Sequence, residues 1–154
     1  MLGIDPGIAD TGYGVVEKLA GGKIKCLAYG SIKTKAGSKL IDRLEILKNE
    51  LDELINEYQP GLVAVEELFF CKNAKTALIV GQARGVVLLT VKMNRLKIVE
   101  FTPLQIKQAV SAYGQAGKAQ VQKMVKILLN LKEIPKPDDA ADALAAAICA
   151  LNYI

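Results

Sequence analysis

Residues 61–68 run G-L-V-A-V-E-E-L, apolar at four consecutive positions after the turn residues Pro60-Gly61. A strand with one wet face alternates; an unbroken apolar run reads as a strand buried on both faces, which needs helices above and below it. The flanking chain supplies them. Residues 38–58 place Leu40, Ile41, Leu44, Leu47, Leu51, Leu54 and Ile55 at helical spacing, with charges opposite. Residues 76–93 form a second, apolar helix, and 97–101 a short strand. Three more helices are predicted over 103–112, 118–131 and 139–152. At the other end, 1–5 is a short strand stopped by Pro6-Gly7. Residues 12–19 and 23–33 alternate as strands around a hairpin turn at Ala20-Gly21-Gly22. The order predicts an α/β fold with a mixed five-stranded sheet flanked by helices. Three strands form a meander, and two more are added by helical crossovers, right-handed by rule.

The length of 154 residues is that of one domain, and no repeat or flexible linker divides it. With 51% hydrophobic and 23% charged residues, intrinsic disorder is excluded. Histidine is absent, which removes Ser-His-Asp and Cys-His catalysis, histidine-ligated zinc and imidazole bases. Cys26, Cys71 and Cys149 are far apart and form no C-x-x-C pair. They fit neither a zinc knuckle nor a disulfide framework, and read as small buried hydrophobes in a reducing compartment. Metal chemistry here must rely on carboxylates, which suit magnesium or manganese. No secretory leader is recognisable. The most apolar stretch, 77–93, is interrupted by Gln82, Arg84 and Lys92, short of the ~18 apolar residues a membrane span wants. A cytoplasmic protein without membrane association is expected. The abrupt first strand and the apolar end also lead us to expect a few missing residues at the start and a trimmed tail.

Charge is unevenly distributed. The net charge is only +4, yet residues 68–132 hold eleven basic side chains against a single acid, Glu100. Such a block is the electrostatic footprint of a polyanion binder, with nucleic acid the leading partner.

Asp5 ends the first strand and Glu66 the fourth. As parallel neighbours, these strands open side by side at the point where strand order reverses, the place where α/β sheets bind ligands. Two acids there repel, and a divalent cation relieves the repulsion. The last helix opens P-K-P-D-D-A-A-D. Asp139 and Asp142 share a helical face, but so do Asp138 and Asp142, so spacing alone does not choose between them. Asp138, after proline, reads as an N-cap that complements the helix dipole. Asp142 lies a turn inside an alanine-rich helix, where an acid needs a cation or a donor. Four acids at converging element ends, without histidine, point to two-metal phosphoryl transfer. In that chemistry one ion generates hydroxide and the other stabilises the leaving 3′ oxygen, while the basic segment holds phosphates.

Several motifs now carry a resemblance: D-P-G-x-x-x-T-G-Y-G at 5–14, A-V-E-E-L-F at 64–69, K-N-A at 72–74, G-Q-A-R-G at 81–85 and D-A-A-D-A-L-A at 139–145. With I-K-Q at 106–108 and K-A-Q-V-Q at 118–122, this ordered set resembles the RuvC family of Holliday junction resolvases over essentially the whole chain. The resemblance implies an RNase H-like fold acting as a homodimer on four-way junction DNA, alongside a branch-migration motor complex. It implies paired symmetric nicks that leave 5′-phosphate and 3′-hydroxyl ends, with two magnesium ions per site, for which manganese substitutes. The family's four acids, metal ligands and catalytic residues together, fall on Asp5, Glu66, Asp139 and Asp142, which favours Asp139 over Asp138. Its lysines near the scissile phosphate fall on Lys107 and Lys118. Its junction-facing aromatic falls on Phe69, a residue able to stack on an exposed base. Lys72, Asn73, Lys75 and Arg84 are further expected DNA contacts. Gly81 and Gly85 leave one side of their helix open to close approach, and the resemblance places that helix at the dimer interface. The family's basic tail is not matched, which bears on DNA affinity rather than on chemistry.

Three other readings compete. An actin-like or sugar-kinase ATPase shares the D-x-G…T-G loop, but needs two such domains and leaves the basic block and the D-A-A-D helix unexplained. A module that binds branched DNA without cutting it has no need of four acids. Another RNase H-like nuclease could act on linear or RNA-containing duplexes, and only comparison of substrates separates it.

Overall fold

The computed structural model describes residues 1–67, 74–111, 114 and 116–152, with backbone alone at 74 and 75. The strands are β1 (Leu2–Asp5), β2 (Asp10–Lys18), β3 (Ile24–Lys33), β4 (Leu62–Glu66) and β5 (Lys97–Phe101). The helices are α1 (Leu40–Tyr58), α2 (Ala74–Met93), α3 (Pro103–Ser111), α4 (Lys118–Leu128) and α5 (Asp138–Leu151). The sheet order is β3-β2-β1-β4-β5, with β1 antiparallel to β2 and parallel to β4, and β4 parallel to β5. This is the meander with two crossover strands that the sequence predicts. Small boundary differences have local causes. β2 starts at Asp10 because that residue still pairs with Lys33 of β3. α4 stops at Leu128 because Leu129 is its cap and Asn130 turns to a positive φ of 49°.

Period-two alternation sorts the sheet into two faces. Leu2, Ile4, Val63 and Val65 point to a layer made by Leu47, Leu51 and Ile55 of α1 with Ala83, Val87 and Val91 of α2. Leu62, Ala64 and Phe101 point the other way, into a cluster with α3, α4 and α5. β4 is therefore covered on both sides, as its unbroken apolar run requires.

The second face is built for one helix. Seven alanines of α5 (Ala140, Ala141, Ala143, Ala145, Ala146, Ala147 and Ala150) are fully buried, so α5 lies against the sheet without thick side chains between. The sheet answers with glycine. A Cβ on Gly3 would fall onto the carbonyl oxygen of Ala143, and one on Gly12 onto that of Asp139. These two positions fix how closely the first two turns of α5 approach β1 and β2.

Candidate active site

Alternation that sends Gly3 towards α5 sends Asp5 the same way, and alternation that sends Ala64 there sends Glu66. Ile4 pairs with Val65 across the parallel β1–β4 ladder, so Asp5 and Glu66 leave adjacent strand ends on the face that α5 covers. Asp5 is also the cross-strand partner of Gly12, on which the backbone of Asp139 rests. The first turns of α5 thereby bring Asp139 and Asp142 to the two strand-end acids. The turn after Asp5 is held from behind. Arg43 of α1 donates to the carbonyl oxygen of Ile8 (3.1 Å) and to Thr34 Oγ1 (2.8 Å), and the Thr34 amide donates to the carbonyl oxygen of Ala9 (3.0 Å).

Two lysines come from the opposite wall. α3 begins with a capping box in which the Thr102 amide donates to Gln105 Oε1 (2.8 Å) and the Gln105 amide to Thr102 Oγ1 (3.3 Å). That cap fixes the turn carrying Ile106 and Lys107. Lys118 opens α4, and its ammonium lies 3.0 Å from Asp142 Oδ2 and 3.4 Å from Asp138 Oδ2. Glu66, Lys107, Lys118 and Asp142 line one cleft of about 220 Å³, floored by Ile106, Val121 and Ala145 and edged by Pro103.

The electrostatics follow from crowding acids in a partly dry place. Burial, then the negative charges of Glu66, Asp142 and Asp139, push the Asp5 carboxyl up to about 8, against the pull of Lys118. Burial and the charge of Asp142 push Glu66 up to about 7, although Lys107 and Lys118 oppose it. Asp142 is raised as well, chiefly by burial, despite its bond to Lys118. Burial works against the charge of Lys118, but its hydrogen bond and attraction to Asp142, and then Asp138, outweigh that and raise its proton affinity.

The donor set is all oxygen, electrically frustrated and without histidine or thiol, which is what a hard divalent cation takes. Among the described residues, no three acids stand close enough as placed to close around an ion, and the Lys118 ammonium occupies Asp142. The residues fit such an ion chemically, with Lys118 as the cation that must give way.

The structure brings together Asp5, Glu66, Asp139, Asp142, Lys107 and Lys118 from the sequence-level set. Arg84 is not part of that cleft; its guanidinium pairs with Glu100 of β5. Phe69, Lys72 and Asn73, and the side chain of Lys75, lie outside the described residues. One reading is corrected. Pro137 takes the N-cap position of α5, no side chain caps the helix, and Asp138 is its first residue. The Asp138 carboxylate goes instead to α4, meeting Lys118 and accepting from Gln122 Nε2 at 3.0 Å. The sequence offers a faint sign of this: Lys118 and Gln122 are four apart and share a helical face.

Residues 1–150 match the family model described as crossover junction endodeoxyribonuclease RuvC. Two curated relatives of that description come from Caldicellulosiruptor saccharolyticus (57% identical) and Halothermothrix orenii (58%); each match spans 149 residues, 97% of this chain and 90% of the relative. Among solved structures, Thermus thermophilus RuvC in complex with a Holliday junction substrate superposes with a TM-score of 0.89 at 34% identity, over 99% of this chain and 92% of that one. The yeast mitochondrial Holliday junction resolvase, at 15% identity and a TM-score of 0.74 over 99% of this chain and 77% of that one, shares the fold alone. The sheet order and helix layers are thus those of the RNase H-like fold. A strand-end acid pair beneath a D-A-A-D helix, and a match over nearly the whole length, lead to one assignment: this chain belongs to the crossover junction endodeoxyribonuclease RuvC family.

Proposed function

We propose that the chain is a single RNase H-like nuclease domain that resolves four-way DNA junctions as a homodimer, cutting by carboxylate-held metal ions. The observation that carries the chemistry is that Glu66 and Asp142 line a partly buried cleft with Lys107 and Lys118, and that the buried Asp5 carboxyl feels the charges of both acids. Asp5, Glu66 and Asp142 would hold two magnesium or manganese ions, with Asp139 completing the set. Bound there, the ions would activate water and neutralise charge at the leaving 3′ oxygen.

The chain's own residues do the rest. Lys107 and Lys118 face the acids across the cleft and draw in a phosphodiester that the acids alone would repel. The desolvated surroundings strengthen every charge interaction at the cut. Pairing of two copies is supported by α2: Leu78, Leu89 and Met93 are at least 60% exposed on it, and Ile41 of α1 is 68% exposed beside Leu89 and Met93. Gly85 faces open space rather than its own sheet. Two copies joined on such a face would present two sites related by a twofold axis, as symmetric nicks require.

Metal dependence tests the reading: a four-way junction is cut in magnesium or manganese and left whole in EDTA, whereas cutting unaffected by EDTA overturns it. Two variants probe its parts. Lys118→Ala is expected to lower kcat about 10²-fold with little change in junction affinity; an equal loss in both would make Lys118 a backbone clamp. Gly12→Ala must lift the start of α5 from β2. Its expected costs are about 1–3 kcal/mol in denaturant unfolding and a loss of about 10²-fold in cutting, and a variant with parent stability and rate contradicts the close-approach argument.

A further inference from the structure

Asp138 is the acid of the D-D-A-A-D segment that the metal reading does not use, yet both of its oxygens are engaged. Oδ1 accepts from Gln122 Nε2 at 3.0 Å, and Oδ2 lies 3.4 Å from Lys118 Nζ. Lys118 and Gln122 stand one turn apart on α4, so a single face of that helix grasps the carboxylate. Pro137, not Asp138, holds the N-cap position of α5, and no side-chain cap bond is made there.

We propose that Asp138 is a positioning residue for Lys118, a second anchor that keeps the ammonium at the cleft mouth when Asp142 serves a metal ion. This rests on the reading of Lys118 as the cation beside the scissile phosphate. A lysine is a point charge on a flexible stem, and one partner does not fix it. Here Nζ is shared between Asp142, inside the acid cluster, and Asp138, outside it. With Asp142 alone, the ammonium would stay on the very carboxylate the ion needs. With Asp138 alone, held in place by Gln122, it stays at the mouth and leaves the acids free. The pair is too exposed to matter for stability, so its effect belongs to turnover and to competition with the ion.

The test is a double-mutant cycle read in two ways. In single-turnover cutting of a four-way junction, Asp138→Asn is expected to slow the reaction about fivefold, the kinetic scale of one exposed ion pair. Junction affinity stays the same or tightens slightly, and Asp138→Glu recovers most of the rate. In a Lys118→Ala background, Asp138→Asn has no further effect. Independently of cutting, the magnesium concentration that half-stabilises the protein in thermal melts rises about threefold in Asp138→Asn, and this shift vanishes in Lys118→Ala. A rate loss of equal size in both backgrounds overturns the proposal, as does an Asp138→Asn variant indistinguishable from the parent. A Lys118→Ala protein that cuts at the parent rate overturns the underlying reading of Lys118 instead.

Discussion

Asp5→Asn will stop junction cutting, by more than about 10³-fold, while leaving junction binding intact; residues acting as one catalytic unit commonly cost that much singly. The substitution keeps shape and one oxygen but removes the charge that a divalent ion needs. Asp5 is the most strongly perturbed acid of the cluster, pushed to about 8 by burial and then by Glu66, Asp142 and Asp139. Binding should survive, because Lys107 and Lys118, the side chains proposed to meet the phosphate, lie on α3 and α4, not on β1. The same substitution is expected to raise the melting temperature of the metal-free protein, since it removes a carboxylate that the fold holds against its solvation preference. Cutting within tenfold of the parent would remove Asp5 from the metal site; lost junction binding would show that the change damages more than the chemistry. Gel-shift and single-turnover nicking on one preparation separate these outcomes.

The metal-free protein will lose stability as pH rises from about 5 to 8, opposite to the trend of proteins stabilised by paired carboxylates. Asp5 and Glu66 titrate ordinarily near 3.8 and 4.5, and in the folded chain near 8 and 7. Between those values the folded state keeps protons that the unfolded chain has released, so rising pH favours unfolding across the window. The stabilisation is whole at the acid end and gone above about 8. The expected loss is about 2 kcal/mol or more, each tenfold change in proton affinity being ~1.4 kcal/mol. For a chain of this size that is ~4–8 °C in Tm. Asp5→Asn should flatten most of the slope, and millimolar magnesium at pH 8 should restore the lost stability, because an ion takes the ionised acids. Melting curves at pH 5.5 and 8, with and without magnesium, check all three; a flat or rising profile in the metal-free parent would contradict the crowded-acid description.

The fold was legible because its elements carry local signals. The unbroken 61–68 run announces a strand covered on both sides, and Leu62–Val65 is indeed buried on both. Alternation in β2 and β3 and helical spacing in α1 reflect single covered faces, which periodicity reads directly. The convergence of the carboxylates was legible because strand ends and helix starts meet at the switch point of a sheet of this order. What escaped were contacts made only when distant segments meet. The Gly3 and Gly12 track is invisible in sequence, where glycine in a strand reads as weakness; its reason is the α5 backbone lying on it. The partner of Asp138 sits 16 and 20 residues earlier, on a different helix, so proline before the aspartate suggested a cap instead. Arg84 shows the limit of reading charge by block: within a strongly basic segment, it meets the segment's only acid.

The central claim is most directly tested by mapping cuts on an immobile four-way junction, end-labelled one strand at a time, in magnesium. A linear duplex of the same sequence and the Asp5→Asn protein run alongside. The account predicts nicks at symmetric positions on two opposing strands, with none on the duplex and none with Asp5→Asn. Firm junction binding without nicks in magnesium or manganese, or equal cutting of the duplex, would contradict it.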